Sequence, residues 1–112
     1  MRERGVPTAR AEAVVQVPQI VHALLQNQPN PFATLTKIPF ALAKESQVRL
    51  EILDVQGRLV RTLLDEKLRG GVHSQEWDGR DELGAQVPNG LYLYRLVVDN
   101  EPRFVRKTLR VR

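Results

Sequence analysis

The chain has 112 residues, 42% of them hydrophobic, with 17 Lys and Arg against 13 Asp and Glu for a net charge of +4, and no cysteine. That allows one small domain with a lead-in, and the apolar content is too high for wholesale disorder. It excludes a disulfide framework and thiolate metal sites, and no apolar run reaches the roughly 18–20 residues of a membrane span. The positive charge is spread along the chain rather than gathered in a patch, which argues against nucleic acid as a partner.

Residues 1–23 read as a linker or the tail of a preceding module. Thr8 can cap a short helix from Ala9 to Val15, stopped before Pro18. Glu12, Gln16 and Pro18 interrupt the apolar region that a signal peptide would need, so export would rely on a signal in a longer parent. From residue 24 to 112 the pattern is that of one domain. Ile20 to Leu25 suggests a first edge strand. In Gln28-Pro29-Asn30-Pro31-Phe32 two prolines stiffen the backbone and deliver Phe32 to the core as a plug. Thr36, Ile38, Phe40 and Leu42 then share one face of a strand, and Pro39 within it predicts an edge position.

Gln47 to Ile52 alternates cleanly, with Val48, Leu50 and Ile52 inward; the alternation slips at Leu53 to Val55, which predicts a bulge. Gln56-Gly57 turns the chain into a strand over Arg58 to Leu64. A polar stretch, Asp65 to Arg69, precedes Gly70-Gly71 and a strand from Val72 to Trp77. Trp77 is the sole tryptophan. An aromatic ring of that size removes roughly 150–250 Å² from water, on the order of 4–6 kcal/mol, so the core should be built around it. After a turn-rich loop from Asp78 to Asn89, Tyr92, Tyr94, Leu96 and Val98 alternate with Leu91, Leu93, Arg95 and Val97 in a central strand. Tyr92 is placed for a tyrosine corner. Asp99 to Pro102 turns into a last strand over Arg103 to Arg112. Its mostly apolar side carries Val105, Lys107, Leu109 and Val111, opposite Phe104, Arg106, Thr108, Arg110 and Arg112. On that reading Lys107 must extend out to water or find a carboxylate.

Six or seven strands, with turn signals about every ten residues, predict an all-β fold: an immunoglobulin-like or fibronectin III-like sandwich of about seven antiparallel strands. Little in it suggests catalysis. Asp78-Gly79-Arg80-Asp81-Glu82 offers oxygens to calcium from Asp78 and Asp81, but turn chemistry explains the same residues. His22 and His73 lie too far apart for an evident metal site, and His73 is expected beside Trp77. Ser46 and Ser74 lack a nucleophile-elbow context. Asp78 with Glu82 or Asp54 could form a carboxylate pair, but tight turns leave it little pocket. No enzyme activity and no cofactor are expected.

Asn30-Pro31-Phe32, Asp54-Val55-Gln56-Gly57-Arg58-Leu59-Val60, Gly71 to Asp81, Gly90-Leu91-Tyr92 and Arg106-Lys107 occur in that order. This succession resembles the C-terminal sorting domain of type IX secretion cargo, and the related immunoglobulin-like domain of flagellar hook-capping proteins, over about residues 24–112. The resemblance implies a non-catalytic signal domain behind an N-terminal cargo domain, recognised by type IX secretion machinery at the outer membrane. The precursor would reach the cell surface or medium through the periplasm, and in many relatives a peptidase then removes the domain. The resemblance makes Phe32, Gly57, Val60, Trp77, Gly90 and Tyr92 fold-defining. It leaves Arg58, Lys107, Arg110 and Arg112 as exposed residues for partner recognition. The chain departs from the pattern in starting at Met1 with no cargo and in being rich in arginine. Two alternatives are an accessory binding module for polysaccharide or protein, with Trp77 as the sole large platform, and a structural assembly or capping domain.

Overall fold

A computed structural model describes residues 21–112. The predicted helix near Ala9, and nearly all of the predicted linker, lie outside the described residues. Within them the chain forms seven strands: β1 (Ala23–Leu24), β2 (Thr36–Leu42), β3 (Ser46–Leu53), β4 (Leu59–Leu68), β5 (Gly71–Trp77), β6 (Gly90–Val98) and β7 (Glu101–Arg110). They make two sheets, ordered β1-β2-β5 and β4-β3-β6-β7, with every strand pair antiparallel. This is an immunoglobulin-type division, with the fourth strand beside the third.

Alternation decides which side chains meet between the sheets. Ile38, Phe40 and Leu42 from β2 face Val48, Leu50 and Ile52 from β3 and Tyr92, Tyr94 and Leu96 from β6, all buried. Trp77 is 1% exposed and closes one end of this core. It lies 5.3 Å from Phe32 in a tilted pair and 5.6 Å from Tyr92 edge-on, geometries that suit the ring quadrupoles. Phe32 is thus the expected plug.

Four local expectations change. Pro39 is not on an edge, because β2 lies between β1 and β5. The Leu25 N–H donates to the Pro39 carbonyl, and Pro39 has no N–H to return; the Leu25 carbonyl instead accepts from the Tyr94 hydroxyl at 2.6 Å. A core tyrosine thus supplies the donor that proline lacks. Strand β4 runs on through the polar stretch to Leu68, since β3 pairs alongside it as far as Ser46. The register slips between Leu50 and Glu51 as well as before Leu53. Asp99 and Asn100, at φ 51° and 68°, form a tight two-residue turn, so β7 begins at Glu101.

The larger correction concerns β7. Thr108 and Arg110 are buried, while Val105, Lys107 and Leu109 are exposed. Cross-strand pairing sets Thr108 opposite Tyr92 and Phe104 opposite Leu96, so the Phe104 row faces the core. Hydropathy alone favoured the other row. The polar row wins because the Thr108 hydroxyl accepts from the buried Asn27 amide and the Arg110 guanidinium donates to buried carbonyls between the sheets.

Candidate functional site

The turn-rich loop after Trp77 depends on a buried cation. Arg110 is 0% exposed, and its guanidinium donates to the carbonyls of Gly79 (2.7 Å), Val87 (3.0 Å) and Ala33 (3.2 Å) and to the Gln86 side-chain oxygen. Burial, then repulsion from Arg112, lowers its pKa from the usual arginine value, and the group stays charged at neutral pH. Gly79 has to be glycine here. Its φ is +74°, and a Cβ would lie 2.6 Å from the Arg110 Cζ. The expected exposure of Arg110 is therefore wrong: it fastens the loop to the last strand.

Beside this fastening lies an open hollow of about 570 Å³, floored by Val60, Val87, Pro88 and Tyr92 and rimmed by Asp54, Arg58 and Glu82. The Tyr92 hydroxyl donates to the Pro88 carbonyl at 2.7 Å, the expected tyrosine corner, and burial raises its pKa. Arg58 is exposed, and its Nε lies 2.8 Å from Asp54 Oδ2. Two bonds from Arg58, from its backbone and then its side chain, are the main reasons the Asp54 carboxyl has a lowered pKa. Gly57 sits at φ +86° inside the same turn, Val60 is partly buried against the core, and Gly90 opens β6 at φ +146°. Arg112 is exposed and reaches Gln86 Oε1 at 3.2 Å. Lys107 lies on the opposite side of β7 from Arg110, already exposed, so it does not have to reach water from a buried face. Of the four cations expected to form one recognition set, Arg110 and Arg112 meet at Gln86 Oε1, while Arg58 is tied to Asp54 and Lys107 lies on the other side of β7.

The carboxylates of the loop are engaged in turn chemistry. Asp78 Oδ1 accepts from Arg61 Nη1 at 2.8 Å and from the Arg80 N–H at 3.2 Å. Asp81 Oδ1 accepts from the N–H groups of Leu83 and Ala85. Among the described residues no three His, Asp or Glu side chains gather as a metal site would require. His73 stacks on Phe40 at 5.3 Å rather than on Trp77. The phenylalanines, tyrosines and tryptophan are all buried or half-buried, Trp77 donating its indole N–H to the Arg80 carbonyl. A polysaccharide reader would need one of those rings on the surface.

Two polar groupings escaped sequence reading. Asn27, 1% exposed, donates through Nδ2 to Thr36, Thr108 and the Pro29 carbonyl, while its backbone N–H donates to the Tyr94 hydroxyl. Burial, as the largest cause, raises the pKa of Tyr94. On the outer face of the larger sheet, Glu51 accepts from Arg95 (2.8 Å) and from Arg49 (2.8 Å). A lone Asn before two prolines is a faint signal for the first. For the second, alternation puts Arg49 and Glu51 on the side opposite Val48, Leu50 and Ile52 but does not name their partners.

The FlgD Ig-like domain family matches residues 33–101. The basal-body rod modification protein FlgD of Salmonella typhimurium is 38% identical over 71 residues, covering 61% of this chain and 31% of that protein. The chain therefore spans about a third of that relative's length. Dimeric latent PorU from Porphyromonas gingivalis superposes with a TM-score of 0.69 at 27% identity, over 81% of this chain and 9% of PorU. PorZ, described as an essential bacterial surface component of the type-IX secretion system of the same organism, gives 0.50 at 20% identity, over 78% of this chain and 11% of PorZ. The PorZ likeness shows the fold alone.

Proposed function

The chain belongs to the FlgD Ig-like domain family, and from that premise we propose that it is a non-catalytic docking module serving as the C-terminal sorting domain of type IX secretion cargo. The observation that carries this reading is the likeness to PorU, in which so similar a sandwich occupies only 9% of a far larger protein. PorZ, a surface component of the type-IX secretion system with a related fold, supplies a context that fits. The described geometry is also that of a docking part: the loop carboxylates are tied into turns and the large aromatics are inside. On this reading the parent carries its own signal peptide, crosses the periplasm and is delivered to the cell surface or beyond. Deleting residues 21–112 from the parent should strand it in the periplasm, and normal surface display of the deletion would overturn the reading. Trimming only the last strand is no substitute, because Thr108 and Arg110 belong to the core.

A second reading, a structural assembly or capping domain, is favoured by the 38% identity to FlgD. It requires that the same deletion leave delivery of the parent intact and halt growth of an extracellular assembly.

A further inference from the structure

Strand β7 reverses the usual polarity of a sandwich strand, in which apolar residues face the core and polar ones face water. Its inward row ends in Thr108 and Arg110, while Val105 and Leu109 face out at 54% and 37% exposed. The neighbouring strand keeps its apolar row inward but also carries leucines on its outer face. Leu91 stands opposite Leu109, Leu93 opposite Lys107 and Arg95 opposite Val105, so three successive cross-strand pairs present leucine, valine and cation on one face. Leu91 is 42% exposed. A contiguous apolar stripe of this kind marks an interaction surface rather than scattered surface leucines.

The charge on the stripe selects its occupant. Glu51, the carboxylate in the adjoining row opposite Arg95, is already held by Arg95 and Arg49. Lys107 takes part in none of the ion pairs among the described residues. Among the described residues it therefore stands as an uncompensated cation between Val105 and Leu109. A second copy of this face would bring like charge against like, and an anionic membrane would call for a denser cluster of cations than Lys107 beside two arginines that share the Glu51 carboxylate. We propose that the outer face of β6 and β7 docks an extended protein segment that alternates apolar with acidic residues, its carboxylate meeting Lys107. This deepens the docking role proposed above, on which it rests, by naming the surface.

The test is an amide-resonance titration of the full chain with a synthetic peptide alternating leucine and aspartate. A lysine-for-aspartate version and anionic phosphatidylglycerol vesicles are run beside it. The acidic peptide should shift Leu91, Leu93, Val105 and Leu109, and Lys107→Glu should weaken it at least about tenfold while leaving the melting temperature unchanged. Leu109→Ser should weaken both peptides. The proposal is overturned by equal binding of the lysine peptide, by shifts elsewhere or none, by preference for the vesicles, or by self-association that moves the same resonances without peptide. Because this titration contains no secretion machinery, its failure is distinct from failure of export.

Discussion

Arg110 brings a positive charge into the end of the sandwich and meets only neutral oxygens there among the described residues. Such a charge is tolerated when its donors are matched, and the planar fork matches several acceptors at once in a way an ammonium cannot. Arg110→Lys should therefore destabilise the domain by roughly 3 kcal/mol, measured by denaturant unfolding. Gly79→Ala should cost about 2–3 kcal/mol through its left-handed backbone and the collision with the guanidinium. In an Arg110→Ala background the collision is gone, so the two losses should fall short of additive by about 1 kcal/mol or more. Strict additivity would mean that the two residues do not touch in solution. Trp77→Ala should cost about 3–5 kcal/mol, enough to unfold most of a domain this small. Trp77, Phe32 and Tyr92 were legible in the sequence because size and turn context leave few places for them. Arg110 was not, because its acceptors are mostly main-chain carbonyls, which have no identity in a sequence.

At the scale of elements, the short β1 is held to the sandwich by the Tyr94 hydroxyl, which donates to Leu25 and accepts from Asn27. Tyr94→Phe should cost about 1–3 kcal/mol by leaving both backbone groups unanswered, and hydrogen exchange should speed up first at Asn27. On the opposite face, burial pushes the Glu51 carboxyl up, but the bonds from Arg95 and Arg49 outweigh it and leave its pKa below the usual carboxylate range. A carboxyl with a depressed folded pKa stabilises above its unfolded value, and that contribution is lost as pH falls through the folded one. The melting-temperature gap between the parent and Glu51→Gln should thus hold near neutrality and narrow progressively below the ordinary carboxylate range, about pH 4.3. A gap that widened on acidification would contradict the pairing. Period-two alternation made β2, β3 and β6 readable, faces included. It found β7 as well but chose the wrong face, because hydropathy cannot see the buried groups that Thr108 and Arg110 bond.

For the whole molecule, turn spacing was enough to indicate a sandwich, since seven strands at this length have few other ways to cover their apolar faces. The site was less legible. Arg58, Lys107, Arg110 and Arg112 looked alike as basic residues, yet one is buried, one is in an exposed ion pair, one contacts Gln86 and one stands in an apolar stripe. Only the folded structure separates them. The sorting role is tested most directly by sufficiency. The full chain is fused behind a fluorescent protein bearing a signal peptide, expressed in a type IX-competent bacterium and in a strain lacking the translocon, and fluorescence outside the cell is measured. Export in the first strain and periplasmic retention in the second is the predicted result. Retention in both, with the fusion folded, would contradict it.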